Sequence, residues 1–537
     1  MSSLMKGTAI LTIGLFLSKA LGLIYIFPFY ALVGEENVVL YQYAYIPYNI
    51  LLSIAISGAP IAVSKFVSKY NAIGDYEAGR KLVRSGLLVM IVTGIVSFIA
   101  LYLLATPIAH IVIKDDEQIF TVAQIAEVIR WVSFALIVVP FMSLTRGFFQ
   151  GYGHYMPTSV SQLIEQIVRI IVLLGGAFVV VVLMEKDALV AINFAVFAAT
   201  IGAIGGLVVL YFYWKKHQPE FDTLRATSVS SGELSYGKIY KEVITYSIPI
   251  VFVGLAISLF QLVDMFTFNS AMASIGLAAV TDTYFGMFTF LTHKIVVIPV
   301  MLATGFSMAL VPAITKLYME KNYGAVRESM DKTFQILLFI TVPAAVGISL
   351  LADDIYHLLY SKSAMGAEVL ANYAPVAILF ALFSVTAALL QGIDYQKWIV
   401  TSLTIGVLTK LTLNTVLIQQ FEVNGAILAT AIGYAVTILI NLVVIVRVLK
   451  YRSPQLVKRV LTILLLTAIM ALNVYVVSRL MGLWLPHDTK LQAIIHLAVT
   501  VSFGLFVYGF LSYKIGLAQQ LLGKRLDGVL RKLRVKK

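Results

Sequence analysis

The chain has 537 residues, a formal net charge of +13 and no cysteine. It is 60% hydrophobic and 12% charged, about half the charged share of an ordinary soluble domain, and its mean hydropathy is +0.92. Such values exclude a soluble globular protein, and the missing thiols exclude disulfides, thiolate metal sites and a cysteine nucleophile. The basic residues sit beside apolar runs and form no wide basic face, which excludes a nucleic-acid binder.

About 20 apolar residues cross the ~30 Å hydrocarbon core of a bilayer. Fourteen stretches of that kind follow one another, at 8–33, 42–64, 85–113, 122–145, 159–183, 188–214, 243–268, 284–312, 333–352, 371–393, 398–419, 425–446, 460–484 and 491–513. The expected fold class is all-α, a polytopic membrane protein with about 14 transmembrane helices. The first stretch is long and lacks an A-x-A site, so it reads as a retained span and not as a cleaved signal peptide. Basic content alternates along the hydrophilic gaps. One set carries most of the Lys and Arg; the other holds only Lys114, Lys186, Lys362 and Lys490. The positive-inside rule then puts both termini in the cytoplasm, with the basic residues at the membrane edges touching anionic membrane lipids.

Two parts of the chain echo each other. Phe149-Gln150-Gly151 with Arg169 matches Leu390-Gln391-Gly392 with Lys410, both at a shift of 241 positions. Tyr76, Ala78 and Arg80 match Tyr323, Ala325 and Arg327 at a shift of 247. Two parallel six-span repeats follow, an architecture of transporters in which the substrate site lies between the repeats near the midplane. The expected domains are an N-terminal six-helix lobe at 1–214, a linker at 215–242, a C-terminal six-helix lobe at 243–449, two further helices at 450–513 and a basic tail at 514–537.

Ionisable residues inside a span are costly and mark function. Lys19, beside Ser18, lies about twelve residues into its span, or ~18 Å at 1.5 Å per residue, too deep to reach an interface easily. Gln162, Glu165, Gln166 and Arg169 form one polar stripe, in which Glu165 can pair with Arg169 across a turn. That pair is either a structural clasp or a cation held until an anionic ligand competes. Asp264 shares a helix face with Gln261, as a proton or cation site or as a neutralised structural carboxylate. His293 and Lys294 precede Pro299, whose freed backbone groups suit a cavity. Lys410 is the repeat mate of Arg169. Glu127 and Arg130 lie near a span end and read as an interfacial salt bridge, and Arg479 as a snorkelling cation. Cations thus outnumber the three intramembrane acids Glu127, Glu165 and Asp264, which suits a phosphate or pyrophosphate.

Other motifs fail. The run from Gly232 to Lys238 imitates the start of a P-loop, but Ile239 replaces the required Ser or Thr. No H-E-x-x-H or G-x-S-x-G occurs, so no cofactor, metal or enzymatic activity is expected. Asp115-Asp116-Glu117 and Asp353-Asp354 read as solvated acids of outer loops.

The block from Arg146 through Gln150, Gly151, His154 and Pro157 to Arg169 resembles the polysaccharide-biosynthesis branch of the MOP exporters, which includes the SpoVB-like and MurJ-type lipid II flippases. Ser18-Lys19-Ala20-Leu21-Gly22 and Leu310-Val311-Pro312 are similar too. The resemblance implies two six-helix lobes in a V, with two C-terminal helices forming a groove for a lipid tail. It also implies export of an undecaprenyl-pyrophosphate-linked sugar by alternating access in a bacterial cell membrane. Tyr25 and Ile26 depart from the family: they stand where Gram-negative members carry an Arg-Asp pair. The resulting expectation is a monomeric lipid II flippase whose Lys19, Arg169, Lys294 and Lys410 contact substrate. Ser18, Glu165, Gln261, Asp264 and His293 would support that site or couple it to membrane potential or a monovalent ion. A carrier of another polyprenyl-linked unit and a drug/cation antiporter are the alternatives; a membrane transferase lacks its catalytic clusters.

Overall fold

A computed structural model describes residues 3–56, 58–115, 117–229, 236–484 and 489–522. Among the described residues every regular element is helical, as a bilayer demands of a chain that must satisfy its own backbone. The chain forms two compact units, Met1–Gly286 and Met287–Lys537.

In the first unit, the opening apolar stretch becomes α1 (Ser3–Ile24) and α2 (Ile26–Val33), with Tyr25 at the joint. The next becomes α3 (Val38–Ile56) and α4 (Ala59–Ala72). Between these two lies Gly58 at φ +66, where a Cβ would also stand 2.8 Å from the Ser247 side chain. Then come α5 (Tyr76–Val112), α6 (Val122–Ser133), α7 (Ala135–Gly151) and α8 (Tyr155–Phe178), which runs on as a π-turn through Leu183. The unit closes with α9 (Ala188–Ala226), α10 (Tyr236–Ala273) and α11 (Ala278–Gly286).

In the second unit, a π-turn over Met287–Thr292 leads into α12 (His293–Met319). After it come α13 (Tyr323–Leu350), α14 (Ala352–Leu359), α15 (Ala364–Tyr373), α16 (Val376–Gly392) and α17 (Gln396–Leu449). The described chain ends with α18 (Pro454–Trp484), α19 (Lys490–Lys514) and α20 (Leu517–Leu522).

Among the described residues, thirteen helices are long and apolar enough to cross a membrane. The fourteenth expected stretch lies within α17. Its 54 residues would reach about 81 Å if straight, far beyond one bilayer. Instead Glu422 leaves helical geometry at φ 53, ψ −132, and the chain doubles back. A Cβ on Gly425 would fall 2.0 Å from the Leu417 carbonyl oxygen, and one on Gly406 would strike Gly433 and Thr437. Ser402 Oγ donates to Asn441 Oδ1 at 2.6 Å. These contacts step in opposite directions along the chain, so α17 is an antiparallel hairpin of two spans.

The duplication reappears as local structure. Asp75 caps α5 by accepting from the Ala78 amide at 3.0 Å, and Asn322 caps α13 by accepting from Ala325 at 3.1 Å. Gly74 and Lys321, just before those caps, both have positive φ, at 78° and 57°. Gly153 and Asp394, at the turns after α7 and α16, do too, at 79° and 64°.

Two sequence expectations change. Most of the expected 215–242 linker is helix, because α9 continues to Ala226 and α10 begins at Tyr236. Residues 232–235 of the P-loop-like run lie outside the described residues. Beyond the apolar part, α9 is tied to the basic end of its unit. Arg80 donates to Asp222 at 3.1 Å, Arg225 to Glu77 at 2.6 Å, and the Val229 amide to the Gly74 carbonyl at 3.0 Å. The second change concerns Asp353-Asp354. Asp353 is exposed as expected, but Asp354 is buried, 2.7 Å from His496 Nδ1 on α19. The short helix α14 packs on α19, so adjacent side chains face opposite environments.

Candidate functional site

The close approach of α8 and α9 sets the geometry of the polar stripe. Gly202, Gly205 and Gly206 lie on the α9 face toward α8, a small-residue interface of the kind that lets membrane helices touch. A Cβ at Gly202 would stand 2.8 Å from both Arg169 Cβ and the Glu165 carbonyl oxygen. Ser161 Oγ donates to the Gly206 carbonyl at 2.9 Å.

Arg146, which the sequence places in a loop, lies within α7 and is only 9% exposed. It donates to Ser161 Oγ through Nε and Nη2 at 3.1 and 2.8 Å, and through Nη2 to Glu165 Oε2 at 2.7 Å. The expected Glu165–Arg169 pair is therefore replaced by Glu165–Arg146. Glu165 turns toward α7, where the guanidinium arrives from a neighbouring helix.

Arg169 turns the other way. Its Nη2 donates to Tyr41 Oη at 2.6 Å and to Tyr45 Oη at 2.7 Å, and its guanidinium lies 5.1 Å from the Tyr45 ring centroid. Those two rings stack at 4.3 Å, and Tyr25 Oη lies 3.0 Å from Tyr41 Oη. Arg169 Nε has no partner among the described residues. The charge is held by phenols, with no carboxylate bonded to it among the described residues. Sequence reasoning missed this cage, although Tyr41, Tyr45 and Tyr48 recur at i, i+4 and i+7, one face of a helix. Tyr25, singled out as a departure from the family, is part of it.

Lys19 is exposed and makes no hydrogen bond or ion pair among the described residues; Ser18 beside it is half-buried. A Cβ on Gly14 would meet Ser159, and one on Gly22 would meet Gln166. So α1 runs parallel to α8, and Lys19 sits level with the polar stripe. On α10, Asp264 is buried and Gln261 half-buried. The expected Glu127–Arg130 salt bridge is absent. Asn193 donates to Glu127 at 2.8 Å, and Arg130 donates to Thr106 at 2.9 Å and lies over the Tyr102 ring, because α9 and α5 offer nearer partners. Asp282 is an intramembrane acid that the sequence reading did not count. It accepts from Tyr43 Oη at 2.7 Å and from the Ile119 amide at 3.1 Å, which fits a structural role.

In the second unit, His293 is buried, with Nδ1 2.9 Å from Tyr373 Oη. Lys294 is half-buried, its Nζ 5.2 Å from the Phe290 ring centroid. Lys410 is 0% exposed and donates to Thr430 Oγ1 at 2.7 Å across the α17 hairpin. A ligand does not reach it in this conformation.

The same unit contains an apolar cavity of about 500 Å³. Pro299 of α12, Phe339 and Pro343 of α13, Met470 of α18, and Gly504 and Tyr508 of α19 line it. Tyr508 Oη donates to the Phe339 carbonyl at 3.0 Å, pinning α19 to α13.

An all-helical chain with paired local repeats, a cation held free of carboxylates and an apolar cavity defines a class of integral membrane transporter. Residues 4–318 match the family model described as polysaccharide biosynthesis protein, and residues 249–416 match MatE. The chain belongs to the polysaccharide biosynthesis protein family. It is 44% identical to the lipid II flippase MurJ of Bacillus subtilis (strain 168) over 538 residues, 99% of each chain. Stage V sporulation protein B of the same organism is 24% identical over 83% of this chain and 84% of its own. The fold matches a solved inward-closed lipid II flippase MurJ at a TM-score of 0.66, with 16% identity over 94% of this chain and 99% of that one. An inward-facing multidrug resistance MATE transporter matches at 0.65, with 15% identity over 79% and 94%.

Proposed function

We propose that this chain is a flippase that carries lipid II from the inner to the outer face of a bacterial cell membrane by alternating access. The observation that carries the reading is the Arg169 cage: a half-buried guanidinium held by two phenols, and bonded to no carboxylate among the described residues, keeps its charge for a phosphate oxygen. Near-full-length likeness to a lipid II flippase supports the cargo, and a relative of lipid II with another sugar would use the same chemistry. Lys19, which is exposed, and the half-buried Lys294 add positive charge for the pyrophosphate, and Lys410 adds its field from inside its hairpin. Ser18, Gln261 and His293 support the site. The cavity between α12, α13, α18 and α19 holds the polyprenyl tail.

Both termini lie in the cytoplasm in this reading, and one chain suffices. Glu165 belongs to the scaffold through Arg146, which leaves Asp264 as the group that couples transport to a monovalent ion or to membrane potential. Replacing Lys19 and Lys294 together by Ala should abolish lipid II movement in proteoliposomes that hold correctly inserted protein. Undiminished flux would refute the cationic site. The MatE match favours a drug/cation antiporter as the second reading; proton-driven efflux of cationic dyes by the same proteoliposomes would establish it.

A further inference from the structure

At the basic end of the first unit, three side chains converge that the transport reading does not use. His154 follows the left-handed Gly153 in the turn after α7, which fixes where its ring projects. His217 and Glu220 lie one turn apart on α9, beyond its apolar part, so both project from one face. His154 Nε2 lies 3.2 Å from Glu220 Oε1, and His217 Nδ1 lies 2.9 Å from Glu220 Oε2. The two imidazole rings are 4.2 Å apart between centroids. One ligand atom from each residue falls within 4.8 Å of the others.

We propose that His154, His217 and Glu220 form a binding site for a divalent transition metal of the zinc class. Two imidazoles and one carboxylate are a donor set that suits zinc, and tetrahedral donors at its usual bond lengths stand about 3.3 Å from one another. The two histidine–carboxylate separations already lie near that edge length. Hydrogen bonding alone would require a proton on each facing nitrogen; one divalent ion replaces both. Glu220 is half-exposed, so water completes the coordination. Phe149 and Phe221 flank the His217 ring and limit its rotation.

The metal would staple the α9 extension to the α7–α8 turn, beside the Arg80–Asp222 and Arg225–Glu77 pairs. Binding only the folded chain, it would raise thermal stability. The test uses the purified full chain in detergent, with any affinity tag removed, titrated with Zn²⁺ by calorimetry and with Co²⁺ by visible absorption. One equivalent should bind, give the d–d bands of tetrahedral cobalt and raise Tm. His154→Ala/His217→Ala should abolish those bands. Glu220→Gln, which keeps both histidines and the shape of the site, should weaken Zn²⁺ binding by at least the ~10–100-fold that losing an outer-shell partner costs. Failure of the wild type to bind one equivalent, or unchanged affinity in Glu220→Gln, would overturn the proposal. If the double variant does not fold, Glu220→Gln alone decides.

Discussion

Exchange of the expected Glu165–Arg169 pair for Glu165–Arg146 makes a sharp energetic prediction. The Arg146 and Glu165 side chains are 11% and 24% exposed, and their 2.7 Å contact is charge-assisted. Breaking one side of a buried ion pair costs about 3–5 kcal/mol. The partial exposure of Glu165 and the second acceptor, Ser161, bring Glu165→Ala nearer to the ~1.5–3 kcal/mol of a hydrogen bond to a charged group. A double-mutant cycle separates the partners. Glu165→Ala and Arg146→Ala should couple by ~1.5–3 kcal/mol, whereas Glu165→Ala and Arg169→Ala should add to within about 0.5 kcal/mol. Reversible unfolding of the detergent-solubilised protein measures both cycles. Equal coupling in the two cycles, or coupling to Arg146 below about 0.5 kcal/mol, would refute the assignment and restore the pair read from sequence.

Other consequences are as direct. Gly202→Val should destabilise by about 1–3 kcal/mol, the usual cost of overpacking, because its Cβ meets Arg169 and Glu165 at 2.8 Å; unfolding midpoints check this, and an unchanged midpoint would contradict the α8–α9 packing. Gly425→Leu should prevent the α17 hairpin from closing, since even a Cβ stands 2.0 Å from the Leu417 carbonyl; limited proteolysis near Glu422 should increase. Tyr41→Phe and Tyr45→Phe each remove one hydrogen bond to Arg169. The double variant should lower lipid II flux more than either single one, with insertion unaltered.

Much of the fold was legible because a bilayer imposes length and polarity on every span. The segment at 491–513 falls inside α19, and those at 85–113 and 333–352 overrun the ends of α5 and α13 by only one and two residues. The repeat echoes fall on matching caps and left-handed turns, since capping chemistry is local. Partner choice was not legible. Glu165 and Arg169 have the right spacing for a pair, yet the close α8–α9 packing turns Glu165 toward Arg146, a residue from another helix. Hydropathy places Arg146 in a gap because it lies near the end of its span, and only the fold shows its burial. Lys410 matched Arg169 by position, but the hairpin that buries it depends on Gly406, Gly425 and Glu422, whose roles are tertiary. Tyrosines count as apolar in a hydropathy reading, so the cage around Arg169 was hidden among the 28 tyrosines of the chain.

The most direct test of the central claim is to deplete this protein in its host, with other candidate flippases removed, and to measure which membrane face holds lipid II. The account predicts accumulation on the cytoplasmic face, relieved by the wild-type chain and not by an Arg169→Met copy inserted at the same level. An unchanged distribution on depletion, or full relief by Arg169→Met, would contradict it.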